Sequence, residues 1–80
     1  MGGAASSMQH ETLDLCGVKC PLNWARAKVR LEQLRPGEAL LLVLDDPKGV
    51  RDIPRAAEAE GYDVLEATRD GGIWRLLIAR

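Results

Sequence analysis

Two side chains in this 80-residue sequence, Cys16 and Cys20, have the chemistry for covalent work. Cys20 stands directly before Pro21, where a helix is expected to start. Proline is best tolerated at the first helical position, so the sequence predicts Cys20 as the N-cap. A sulfur there faces backbone N–H groups without intrahelical partners and the positive end of the helix macrodipole. Both favour thiolate over thiol. A thiolate is the nucleophile needed to attack a sulfur atom or to carry a persulfide. Lys19 and Arg26 add positive potential if the fold brings them near. The competing reading is a small apolar residue, since free cysteines are commonly buried.

Cys16 lies four residues earlier. One reading makes it a resolving thiol that closes a disulfide with Cys20. The other makes it a small residue packed at a strand end. The spacing Cys-x-x-x-Cys is not the Cys-x-x-Cys redox spacing, which favours the second. His10 is the sole histidine. It falls in a tail, so no Cys-His couple is expected. Two cysteines and one histidine also fall short of a structural zinc set, and no metal site is expected.

The elements that must position Cys20 follow from pattern. Thr12 and Asp14 alternate with Leu13 and Leu15, which suits a short strand over 11–15. Gly17 breaks it. Trp24, Ala27, Leu31 and Leu34 recur at spacings of three and four and form the apolar stripe of a helix. Pro36-Gly37 ends that helix. Leu40 to Leu44 is apolar without alternation and reads as an interior strand. Asp45-Asp46-Pro47 is a helix start, with Asp46 as cap and Asp45 supporting the turn. Ile53 precedes Pro54 and is pushed from helical geometry. The expectation is a short turn over 47–51, then a helix from Pro54 to Glu60. A strand from Tyr62 to about Thr68, a turn at Asp70-Gly71-Gly72 and a last strand from Ile73 to Ala79 complete the order β-α-β-α-β-β. A βαβ start favours parallel pairing and the final hairpin is antiparallel. The fold class is α/β, a two-layer sandwich: a mixed four-stranded sheet with two helices on one face.

Residues 1–10, rich in Gly, Ala and Ser without periodicity, read as a flexible tail, and 11–80 as one domain. Met1 to Ser7 reads as a leader ahead of a start at Met8. A net charge of -1 argues against charge-driven nucleic-acid binding. No apolar run has the length of a bilayer span. The cytoplasm is the default location, where both thiols stay reduced. A monomer is the default state.

Leu13-Asp14-x-x-Gly17-x-x-Cys20-Pro21, Pro36-Gly37-Glu38, Asp45-Asp46-Pro47 and Arg51-Asp52-Ile53-Pro54 together resemble the TusA/SirA/YedF family of small sulfur-transfer proteins. The resemblance runs from Leu13 to about Ile78. It implies a sandwich like the C-terminal domain of translation initiation factor 3. It implies a sulfurtransferase without cofactor, in which Cys20 accepts sulfane sulfur as a persulfide. The implied donor is a cysteine desulfurase or a rhodanese. The implied recipient is an acceptor protein in tRNA thiolation, molybdenum-cofactor enzyme maturation or sulfur oxidation. Neither membrane nor direct nucleic-acid contact is implied.

One position departs from the family motif Cys-Pro-x-Pro: the second proline is Asn23. Asn23 restores an N–H that proline lacks and adds an amide, an extra hydrogen bond for the sulfur. Pro21, Asn23, Lys19 and Arg51 are the expected supporting residues. For Arg51, charge offered to a persulfide and a salt-bridged surface position are equal readings. Trp24 is expected in the core, and Trp74 is either buried against the second helix or partly exposed. Two other functions compete: a non-catalytic protein- or RNA-binding module, and a redox switch through Cys16 and Cys20.

Overall fold

The computed structural model describes residues 10–80. The order is β1 (His10–Asp14), α1 (Leu22–Glu32), β2 (Ala39–Leu44), α2 (Pro47–Ala59), β3 (Asp63–Asp70) and β4 (Ile73–Ala79). The β-α-β-α-β-β sequence is as expected. The expected tail lies outside the described residues except for His10, which opens β1 opposite Ala39 rather than ending a tail.

The sheet order is β1-β2-β4-β3. β1 and β2 are parallel, and β4 runs antiparallel to both β2 and β3. The apolar run 39–44 is therefore an interior strand, as its lack of alternation requires. Leu40, Leu42 and Leu44 point to one face and are fully buried, as are Leu76 and Ile78 on β4. Ala27 and Leu31 of α1 join them in one cluster with Ile53 and Ala57 of α2. Both helices thus cover the same face of the sheet. Each fully buried Leu or Ile contributes roughly 1.5–3 kcal/mol, which a chain this short needs almost everywhere.

Ala27 and Leu31 of the predicted stripe are buried in α1 and Leu34 just past its end. In the first turn Asn23 is the buried residue, while Trp24, expected in the core, is half-buried against it. In β3 the register shifts between Val64 and Glu66. The extra residue turns Leu65 outward, while Val64 packs against the core.

The second helix corrects the sequence reading. It is continuous from Pro47 to Ala59, with Pro54 inside it, not a turn followed by a shorter helix. Gly49, Ile53 and Ala57, at spacings of four, are its buried residues. An internal proline costs about 3 kcal/mol. Burying Ile53 recovers roughly 1.5–3 kcal/mol, and Ala57 and Val50 add to the same contact. Tertiary burial holds Ile53 helical against its local preference.

Candidate functional site

The segment from Cys16 to Pro21 joins β1 to α1. Leu15 N–H donates to the Val43 carbonyl at 2.6 Å, so the strand hands the chain directly to the loop. Gly17 then takes φ +83, in the left-handed region where a side chain is strained. Val18 N–H closes the turn on the Leu15 carbonyl at 3.0 Å.

Three carboxylates receive the loop's N–H groups. Asp14 Oδ1 accepts from Cys16 at 2.9 Å, and Asp45 Oδ1 accepts from Gly17 at 3.0 Å. Asp46 Oδ2 accepts from Cys20 at 2.8 Å. Asp46 is also the N-cap of α2, with Oδ1 accepting from Lys48 at 3.2 Å. The expected capping role of Asp46 and turn role of Asp45 are both present. Their grip on the cysteine loop is the part that local pattern missed.

The cap of α1 is corrected. The N-cap is Pro21, not Cys20, and the Cys20–Pro21 peptide is cis. Cys20 lies one residue upstream, half-buried, with a free thiol. Asn23 N–H, expected among the groups facing the sulfur, donates to the Lys19 carbonyl at 3.1 Å. Trp24 N–H goes to Asn23 Oδ1 at 2.7 Å.

Asn23 is fully buried. Its amide does not extend to the sulfur as expected. Nδ2 donates to the Val18 carbonyl at 3.4 Å and to Asp46 Oδ2 at 3.3 Å. The site thus brings together Cys20, Asn23 and Asp46. Gly49 belongs with them, because a Cβ there would overlap Asn23 Nδ2 and crowd Leu44 Cδ1 at 3.1 Å. Sequence reading passed over Gly49, although a glycine inside a helical pattern signals a close approach.

Cys16 stands beside two carboxylates. Desolvation pushes the exposed Cys16 thiol up, and its hydrogen bond to Asp14 with the charges of Asp14 and Asp45 push it further. Cys16 is held as a neutral thiol. Asp14 is correspondingly lowered, by the backbone N–H and thiol of Cys16. Asp46 is lowered first by the Cys20 N–H, then by the N–H groups of Lys48 and Gly49 and the charge of Lys19. Lys19 therefore acts on the carboxylate side of the site.

Arg51 is exposed on α2, its Nε 3.4 Å from Asp52 Oδ1, which is the surface-pair reading. Arg26 lines an open apolar groove with Leu13, Ala25, Val29 and Arg30. Trp74 is half-buried and carries the Arg69 guanidinium 5.4 Å from its ring centroid.

A mixed four-stranded sheet under two helices, with a Cys-Pro step where β1 passes into α1, defines a small α/β protein of SirA-like architecture. The crystal structure of a SirA-like protein from Desulfitobacterium hafniense superposes with a TM-score of 0.75 at 27% identity, covering 85% of this chain and 93% of that one. The family described as sulfurtransferase TusA matches residues 11–80. A candidate sulfur carrier protein of Archaeoglobus fulgidus is 38% identical over 72 residues, 89% of this chain and 82% of the relative. The sulfur carrier protein TusA of Allochromatium vinosum is 33% identical over 70 residues, 88% and 92% of the two chains. The chain belongs to the TusA sulfurtransferase family, and its role is that of a sulfur carrier. The resemblance read from its Cys-Pro, Asp-Asp-Pro and Arg-Asp-Ile-Pro segments is borne out.

Proposed function

We propose that Cys20 carries sulfane sulfur as a persulfide between two partner proteins in the cytoplasm. The Cys20 thiolate attacks the terminal sulfur of a donor persulfide. A sulfur–sulfur bond forms on Cys20 as the donor's own breaks, and the donor leaves as a thiolate. A nucleophile on the acceptor then takes the terminal sulfur, and Cys20 is released as thiolate. No net oxidant or reductant is needed. A desulfurase or rhodanese bearing a persulfide is the donor class.

The observation that carries this reading is the unequal setting of the two thiols. Cys20 is half-buried, with its backbone tied to Asp46. Cys16 is exposed and held protonated beside Asp14. Both cysteines donate a backbone N–H to a carboxylate, but Cys16 is held by its near neighbour Asp14, whereas Cys20 is held across the fold by the cap of α2 and stands at the entry to α1. Incubation with a cysteine desulfurase and cysteine should add one sulfur, about 32 Da, by mass spectrometry. The gain should vanish in Cys20→Ser and persist in Cys16→Ser. Uptake that survives in Cys20→Ser, or none in the parent with any persulfide donor, overturns the assignment.

A further inference from the structure

We propose that Asn23 is the positioning residue of Cys20, clamping the cysteine loop to the start of α2, and that Gly49 is the space that admits it. This rests on the reading of Cys20 as the sulfur-bearing residue and adds what holds it in place.

The backbone N–H and both side-chain polar atoms of Asn23 are engaged around that loop. Its N–H donates to the Lys19 carbonyl at 3.1 Å and closes a turn over Cys20, Pro21 and Leu22. Its Oδ1 accepts the Trp24 N–H at 2.7 Å, which aims Nδ2 back toward the loop. Nδ2 donates to the Val18 carbonyl at 3.4 Å. Its second proton goes to Asp46 Oδ2 at 3.3 Å. The same oxygen accepts the Cys20 N–H at 2.8 Å. Val18, Lys19 and Cys20 are thus tied in succession to Asn23 or to its partner.

Asn23 is the one buried polar side chain among the described residues. A buried amide with all its hydrogen bonds made restricts its surroundings to one arrangement. Gly49 is the complement: any side chain there meets Nδ2. A proline at position 23, as in the family motif, supplies neither the N–H nor the amide. This chain holds the loop by hydrogen bonds where a ring would hold it by stiffness. Displacing a reacting group by about 1 Å can slow a reaction on the order of 100-fold, so the clamp bears directly on sulfur transfer.

The test is a double-mutant comparison in a Cys16→Ser background. Asn23→Ala, Gly49→Ala and the pair are compared by melting temperature, hydrogen exchange at the Cys20 amide and rate of sulfur uptake from inorganic tetrasulfide. Gly49→Ala should lower the melting temperature, speed Cys20 exchange and slow uptake by about tenfold or more. Adding Asn23→Ala removes the overlap, so the melting temperature recovers while uptake stays slow. A purely structural role returns both together and overturns the proposal. So does Asn23→Ala with parental exchange and uptake. Should Asn23→Ala not fold, Gly49→Ala is compared with Leu31→Val of matched melting temperature. Slow uptake in the first alone supports the clamp, and equal uptake removes it. If the parent takes up no sulfur, the persulfide reading fails by itself. Cys20 exchange and iodoacetamide alkylation then decide the clamp, which stands if they change in Asn23→Ala and falls if they do not.

Discussion

Asp46 Oδ2 accepts the backbone N–H of Cys20 at 2.8 Å, across 26 positions of sequence. The same carboxylate caps α2 through Lys48 N–H. One side chain therefore sets both the start of a helix and the path of the cysteine loop. Asp46→Asn keeps an oxygen for the cap but turns a donor or a neutral acceptor toward Cys20 and Asn23. Faster hydrogen exchange at the Cys20 amide is expected, with sulfur uptake slowed about tenfold. Circular dichroism should show α2 retained.

Acid should loosen this site first. Asp46 and Asp14 both sit below their ordinary value of 3.8 in the folded protein, because each carboxylate accepts N–H groups. The unfolded chain binds protons more readily there, so their stabilisation is complete above that value and fades as pH falls through the lower folded values. The melting temperature should respond little to these two groups above about pH 5 and drop below about pH 4. Asp46→Asn should flatten part of that drop. An unchanged acid limb in the variant would show that Asp46 is not among the groups responsible.

Cys16 should behave as a reluctant thiol. Its setting raises it above the ordinary 9.0, chiefly through desolvation and then through Asp14 and Asp45. In Cys20→Ser, alkylation of Cys16 against pH should have its midpoint above that value. Asp14→Asn removes one of the opposing charges and should move the midpoint down toward 9.0. The direction distinguishes this from an ordinary exposed cysteine, which Asp14→Asn would leave in place.

The core tolerates little loss. Leu42 is fully buried on the interior strand β2, within the cluster joining both helices to the sheet. Leu42→Ala should cost about 2–5 kcal/mol. For a domain of this size each kcal/mol lowers the melting temperature by about 4–8 °C. Urea unfolding followed by tryptophan fluorescence measures it directly.

Arg80 closes the far end of α1. Its Nη1 donates to the carbonyls of Glu32 at 2.5 Å and Leu34 at 2.7 Å, with Leu31 at 3.4 Å. A cation at a helix C-terminus also meets the negative end of the macrodipole. Arg80→Ala should lower stability by about 1 kcal/mol. Sulfur uptake should remain at the parental rate, since the contact lies at the opposite end of α1 from Cys20.

Much of this protein could be read from residues in order. The apolar run 39–44 marked an interior strand because a strand flanked on both edges leaves even its open face, here Leu41 and Val43, half-buried. Asp46-Pro47 marked a helix start because capping is a matter of two or three adjacent residues. The Cys-Pro, Asp-Asp-Pro and Arg-Asp-Ile-Pro segments carried the family. The helix-start argument placed Cys20 one residue too far into α1. It did not see that the N–H groups of Asn23 and Trp24 are engaged elsewhere. Pro54 was read as a break because local preference is visible in sequence and the burial of Ile53 in the cluster shared by both helices and the sheet is not.

The sequence by itself determined the elements, the family and which thiol to suspect. These depend on short-range preferences and on a pattern carried within the chain. Only the tertiary structure decided that β4 inserts between β2 and β3, that Asn23 is buried and that Gly49 must lack a side chain to leave room for it. It alone brought Asp46 to the Cys20 N–H. The reason is physical: a hydrogen bond across 26 residues, or the space that one side chain leaves for another, exists only once packing has closed the distance.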